Sequence, residues 1–176
     1  ATRLLQKEAP IVNTTQDLHF DCTGKTILIV EDEKELREYL IESFTGTFKK
    51  VYAADNAISA LETCRKKQPS IIVSDVMMPQ MDGFELCRQI KNDIRISHIP
   101  VILLTARYDQ TGITTGYKSG ADSYIPKPFD LAFLKVVVGN ILKNREKIHS
   151  QYVTVTGSPS LLDLTNGKAD EGFMKK

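Results

Sequence analysis

The chain has 176 residues, 41% hydrophobic and 26% charged, enough for one domain with a packed core plus terminal extensions. Its 23 basic residues balance 22 acidic ones to a net charge of +1, so charge alone points to neither a nucleic-acid nor a membrane surface. No apolar run approaches the ~18 residues that cross a bilayer, no signal-peptide pattern opens the chain, and the widely spaced Cys22, Cys64 and Cys87 lack zinc-site spacing, reading as reduced thiols in a cytoplasmic protein.

Residues 1–24 start at Ala1, which suggests a fragment of something longer. They carry Leu4, Leu5, Ile11, Val12, Leu18 and Phe20 without a clean period, punctuated by Pro10 and Gly24, and read as a lead-in or linker. From Thr26 the pattern sharpens. Ile27 to Val30 is a buried strand, and Glu33 to Phe44 a helix with Leu36, Leu40 and Phe44 on one face. Val51 to Ala53 is a weaker strand, and Asn56 caps a helix reaching about Lys67. Ile71, Ile72 and Val73 form a β-branched run without polar alternation, as in a fully buried parallel strand. That run ends at Asp75, and Pro79 and Gly83 break the chain before a helix over 84–91.

Pro100 starts a further strand, Val101 to Leu104. Residues 109–119 should form the next helix, but Thr111, Gly112, Thr114, Thr115 and Gly116 make it a poor one. Asp122 to Pro126 is a short last strand, and Asp130 caps a long helix with Leu131, Leu134, Val138 and Ile141 inward. Beyond Lys147, Tyr152 to Val155 alternates like an edge strand, and 170–176 resembles the first turn of an unfinished helix. Five strands alternating with five helices predict an α/β fold, a parallel sheet with helices on both faces.

Four strand ends carry reactive side chains: Glu31-Asp32, Asp75, Thr105 and Lys127-Pro128. In a parallel sheet such ends share one edge, where open α/β folds bind their ligands. Three carboxylates there repel each other, and a hard divalent cation such as Mg²⁺ makes the set chemically sensible. Lys127 and Thr105 complete a clamp for the oxygens of a transferring phosphoryl group, with Asp75 as carboxylate nucleophile. Singly, each residue has a plainer role: Glu31 and Asp32 favour a helix N-terminus, Thr105 caps a turn, Lys127 is a solvated charge, and Pro126 and Pro128 end a strand.

Together, Glu31-Asp32, Asp75 within D-V-M-M-P-Q-M-D-G, Thr105-Ala106 and Lys127-Pro128-Phe129 resemble the receiver domain of two-component response regulators. The intervals agree with that family: 43 residues from Asp32 to Asp75, 30 on to Thr105 and 22 on to Lys127. The resemblance covers about 25–147 and implies a flavodoxin-like (βα)5 doubly wound sheet in the order 2-1-3-4-5. It also implies that a sensor-kinase phosphohistidine donates its phosphoryl group to Asp75, and that Glu31, Asp32, Asp75 and the Met77 backbone carbonyl hold Mg²⁺. A cis Lys127–Pro128 bond is implied, as is a switch in which Thr105 moves inward and Tyr124 follows. The residues two after the acceptor and two after the threonine, Met77 and Arg107, would flank the water that hydrolyses the aspartyl phosphate. Such a domain is a regulatory phosphoacceptor rather than an enzyme. Its implied partners are a histidine kinase and a second copy, through the face of 109–119, 122–126 and 130–147.

Rival chemistries fit less well. Phosphatases that form an aspartyl phosphate place a second acid two residues after the nucleophile, where this chain has Met77. A nucleotide-binding loop is missing, since Lys118-Ser119 follows Tyr117 rather than the required glycine pattern. A degenerate receiver serving as an unphosphorylated interaction module conflicts with the intact acidic pair, Asp75, Thr105 and Lys127.

The flanks resemble hybrid two-component systems that join sensor, histidine kinase, receiver and AraC-type helix-turn-helix domains. On that resemblance, 1–24 is a linker from the kinase, 25–147 the receiver, and 148–176 a linker towards a DNA-binding domain. DNA would be met only through that separate domain and the membrane not directly, although the cytoplasmic domain could belong to a membrane-anchored sensor. The alternative is a free-standing receiver, or that of a hybrid kinase without DNA-binding output.

Overall fold

Hydrophobic runs too short for helices, each bounded by a turn signal, become strands because only a sheet can cover both of their faces. The protein is described by a computed structural model covering residues 21–106 and 110–155. Its elements alternate along the chain: β1 (Cys22–Val30), α1 (Lys34–Phe44), β2 (Phe48–Ala54), α2 (Ala57–Lys67), β3 (Ile71–Asp75), α3 (Gly83–Asn92), β4 (Val101–Thr105), α4 (Gln110–Lys118), β5 (Ser123–Pro126) and α5 (Leu131–Val155). All four strand pairings are parallel, in the order β2-β1-β3-β4-β5. This is the flavodoxin-like doubly wound sheet.

The two-residue period of the strands divides the core into halves. Ile27, Ile29, Ile71, Val73, Ile102 and Leu104 face one side, against Leu40 and Phe44 of α1 and Leu134, Val138 and Leu142 of α5. Leu28, Val30, Ile72, Val101 and Leu103 face the other, against α2 and α3. Each such aliphatic side chain contributes about 1.5–3 kcal/mol by leaving water. The caps at Asn56 and Asp130 follow the sequence, accepting from the Ser59 N–H at 2.8 Å and the Ala132 N–H at 2.7 Å, and the structure adds one at Asp82, which accepts from the Glu85 N–H at 2.8 Å. All three cysteines are free and buried, and burial pushes the Cys64 thiol up to about 12.

The structure corrects the sequence reading at both flanks. β1 begins at Cys22, inside the predicted lead-in, with an irregular register between Cys22 and Thr26. Tyr152 to Val155 is not an edge strand: α5 runs unbroken to Val155, about 37 Å at 1.5 Å per residue. There Ser150 Oγ donates to the Lys147 carbonyl and Thr154 Oγ1 to that of Ser150, at 2.9 and 2.8 Å. These polar side chains sit comfortably on a helix by bonding back one turn. Residues 1–20 and 156–176, where the rest of both linkers and the unfinished helix were placed, lie outside the described residues.

The poor fourth helix forms despite its glycines, and tertiary packing uses Gly116. A Cβ on Gly116 would stand 2.9 Å from the Tyr124 ring. Side-chain size is what this position excludes, so low helix propensity is tolerated.

Candidate functional site

β3 is buried along its whole length and carries Asp75 to the edge where the strands end. α3 then starts hard against it. A Cβ on Gly83 would lie 2.2 Å from the Asp75 carbonyl oxygen, so no larger residue fits without moving the loop that bears Asp75. The Gly83 N–H donates to the Val76 carbonyl at 2.9 Å and closes that loop.

Glu31 continues from β1, its N–H bonded to the Ala54 carbonyl at 3.1 Å. Lys127 comes from the end of β5, where its N–H donates to the Thr105 carbonyl at 2.6 Å and its peptide bond to Pro128 is cis. The side chains then converge. Lys127 Nζ lies 2.9 Å from Glu31 Oε2 and 3.1 Å from Asp75 Oδ1. Glu31, Asp32 and Asp75 each offer a carboxylate oxygen within 4.8 Å of the others. Glu31 and Asp75 are buried and Asp32 is exposed, so the cluster opens to solvent on the Asp32 side.

Burial raises the Glu31 pKa, opposed by the Lys127 hydrogen bond and reinforced by the nearby Asp75 charge. For Lys127 burial works against the charge, yet the hydrogen bond to Glu31 and the charges of Asp75 and Glu31 outweigh it and raise its pKa. One ammonium thus pairs with two carboxylates, and the third, Asp32, lies within 4.8 Å of both. Among the described residues Asp75 Oδ1, buried, makes no hydrogen bond of good geometry, and Lys127 stands 3.1 Å away as its ion partner. A buried carboxylate oxygen left so costs stability unless a cation completes it. An all-oxygen donor set with a solvent-facing side fits Mg²⁺, which keeps several waters.

Of the remaining predicted residues, Thr105 is buried at the end of β4. Tyr124 pairs in register with Leu103, and its ring stacks on Phe84 with centroids 6.1 Å apart and planes 15° from parallel. Met77 is exposed in the loop after β3, and Arg107 lies outside the described residues. Two participants were not anticipated from sequence. Phe84, directly after Gly83, supplies the seat for Tyr124, and Arg37 on α1 donates to the backbone carbonyls of Glu31 and Asp32.

The family profile described as response regulator receiver domain matches residues 27–138. The chain belongs to that family. Receivers of this kind are regulatory domains of two-component signalling rather than classical enzymes. The family implies a histidine-kinase phosphodonor as partner. This receiver is 39% identical over 165 residues to histidine kinase P4 of Formosa agariphila, covering 93% of this chain and 12% of that protein. It is 37% identical over 122 residues to the transcriptional regulatory protein AfsQ1 of Streptomyces coelicolor, covering 69% of this chain and 53% of that one. The chain therefore spans a small part of the first relative and about half of the second. Among solved structures, the receiver domain of a signal transduction histidine kinase from Syntrophus aciditrophicus matches with a TM-score of 0.63 at 33% identity, over 78% of this chain and 97% of that one. The BeF3-activated DrrB receiver domain matches with a TM-score of 0.63 at 29% identity, over 69% and 99%. No helix among the described residues is long and apolar enough to cross a membrane.

Proposed function

We propose that this receiver accepts a phosphoryl group on Asp75 from a sensor-kinase phosphohistidine. The observation that carries the reading is the buried Asp75 carboxylate set between the Glu31–Asp32 acids and the Lys127 ammonium. In the transfer an Asp75 carboxylate oxygen attacks phosphorus, the P–O bond forms as the P–N bond to histidine breaks, and the imidazole leaves. Mg²⁺, held by Glu31, Asp32, Asp75 and the Met77 carbonyl, would neutralise the negative charge gathered there. Lys127 is already placed to take a phosphoryl oxygen, and the Thr105 hydroxyl would take another once drawn inward.

Phosphorylation replaces the single carboxylate charge of Asp75 with about two on the phosphoryl group, a net gain of about one negative charge. Tyr124 is the element that responds, with its ring held between Phe84 and Gly116. The face of α4, β5 and α5 carries the signal, and the exposed Tyr117 and Phe133 on it support contact with a second copy or a neighbouring domain. The wider context is a hybrid polypeptide, kinase before and DNA-binding domain after. Its support is the match to the Formosa kinase along nearly the whole chain. A free-standing or hybrid-kinase receiver without DNA-binding output is the alternative; the likeness to a protein named a transcriptional regulatory protein supports a transcriptional output. The setting is cytoplasmic. Met77 and Arg107 shield the phosphoryl group from water, so Met77→Ala and Arg107→Ala should both lose phosphate faster than wild type.

The test is intact mass after incubation with Mg²⁺ and a small phosphodonor. Wild type should gain one phosphoryl group, Asp75→Asn none, and chelation of Mg²⁺ should suppress the adduct. An adduct of equal yield on Asp75→Asn would overturn the assignment.

A further inference from the structure

The turn that carries Glu31 and Asp32 has an unusual fastening. α1 follows immediately, and its N-cap residue Glu33 makes no side-chain capping bond. The usual device for fixing the start of a helix is therefore missing where two acidic side chains must be held in place. Arg37, one turn into α1, reaches back instead. Its Nη1 donates to the Glu31 carbonyl at 2.7 Å and to the Asp32 carbonyl at 3.1 Å. The Arg37 N–H meanwhile donates to the Glu33 carbonyl at 2.9 Å, and the Glu33 N–H donates to Glu31 Oε1 at 3.2 Å. One side chain thus gathers the two consecutive carbonyls of the acidic turn and anchors them to the first turn of the helix.

We infer that Arg37 is a positioning residue for the divalent cation, acting through the backbone of Glu31 and Asp32 without touching the ion. The inference rests on the phosphoacceptor reading above and adds to it a residue outside the acid, threonine and lysine set. The physical grounds are two. Glu31 is fixed on its strand side by the Ala54 carbonyl, whereas Asp32 is exposed and has no strand neighbour in register. Its backbone orientation therefore depends on the turn, and the turn on Arg37. A guanidinium that binds two carbonyls also leaves a formal positive charge behind the acidic turn, which eases the crowding of three carboxylates. Outer groups that orient metal ligands typically change affinity by 10–100-fold when removed.

The experiment is a calorimetric titration of Mg²⁺ into the full chain, together with thermal unfolding in chelator. Arg37→Met, which keeps the aliphatic stem, should weaken Mg²⁺ binding by about tenfold, and Arg37→Lys should restore much of it. The melting temperature in chelator should fall far less than the gap between the variants' Mg²⁺ affinities would suggest. Equal Mg²⁺ affinity in Arg37→Met and wild type would overturn the inference, as would a loss of thermal stability in chelator with the affinity unchanged. If Arg37→Met does not fold, Arg37→Gln replaces it: an intermediate weakening supports the inference and unchanged affinity overturns it. Failure of the wild type itself to bind Mg²⁺ would instead overturn the phosphoacceptor reading, and the Arg37 role with it.

Discussion

Two charged clusters sit at opposite edges of the same sheet, and they are built on different terms. At the edge where strands begin, Asp122 accepts from the Val101 N–H at 2.9 Å, Lys91 Nζ at 3.1 Å and Arg145 Nη2 at 3.1 Å. Lys91 also donates to the Ile99 carbonyl at 2.8 Å, and Arg145 to that of His98. One carboxylate there meets two cations and a backbone donor. At the edge where strands end, three carboxylates meet the Lys127 ammonium, with the Arg37 guanidinium on the backbone behind them, and among the described residues a buried oxygen of Asp75 makes no well-formed hydrogen bond. The first cluster ties α3, β4 and α5 to the turn before β5 and pairs its carboxylate within the protein. The second leaves negative charge in want of a cation. A polar cluster that satisfies itself stabilises a fold, and one left incomplete points to a ligand.

Mutations should separate the two edges. The largest effect is expected at the incomplete edge, from Gly83→Ala, whose Cβ would meet the Asp75 carbonyl at 2.2 Å. Backbone cannot yield as a side-chain tip can, so denaturant unfolding should show a loss of about 3 kcal/mol, and Mg²⁺ binding should fail with it.

Next comes Asp122→Ala, which leaves the Val101 N–H without its acceptor and takes from Lys91 and Arg145 their carboxylate partner. A loss of about 2 kcal/mol is expected by the same measurement, with Mg²⁺ affinity unchanged. Its pH dependence sharpens the contrast. Burial opposes the Asp122 charge, but the Val101 N–H, Lys91 and Arg145 together hold its carboxyl below the usual range. A depressed folded pKa means that stabilisation is complete above the ordinary aspartate pKa, about 3.9, and is lost as pH falls through the lower folded value. Asp122→Asn should therefore flatten the acid limb of the stability curve.

The smallest effect is predicted for Gly116→Ala. Better helix propensity, worth up to about 1 kcal/mol, is offset by contact with the Tyr124 ring at 2.9 Å. Stability should stay within about 1 kcal/mol of wild type, while the aromatic proton resonances of Tyr124 and Phe84 shift because their stack is pushed aside.

The ten elements could be read from the sequence because each apolar run had a single sensible home. Ile71 to Val73 has no polar face and so belongs inside a parallel sheet, and the caps at Asn56 and Asp130 mark where helices start. Tyr152 to Val155 misled because a four-residue stretch cannot distinguish a period of two from one of 3.6, and helix continuation wins when the preceding turns are already formed. The convergence of Glu31, Asp75 and Lys127 was legible as strand ends on one edge. Arg37 was not, since a side chain reaching back to carbonyls leaves no mark in residue type or spacing. Nor was the Asp122 network, whose members come from α3, β4, α5 and the turn before β5 and look like ordinary surface charges in the chain.

The claim that the acidic edge is the ligand site and the Asp122 edge a closed frame can be tested in one titration. Backbone amide resonances of the isotope-labelled chain should be followed as Mg²⁺ is added. The account predicts saturable shifts at 31–33, 75–78, 105–106 and 127, with amides at 91, 98–101, 122 and 145 unmoved. Shifts concentrated around Asp122, or no saturable shifts at residues 31, 32 and 75, would contradict it.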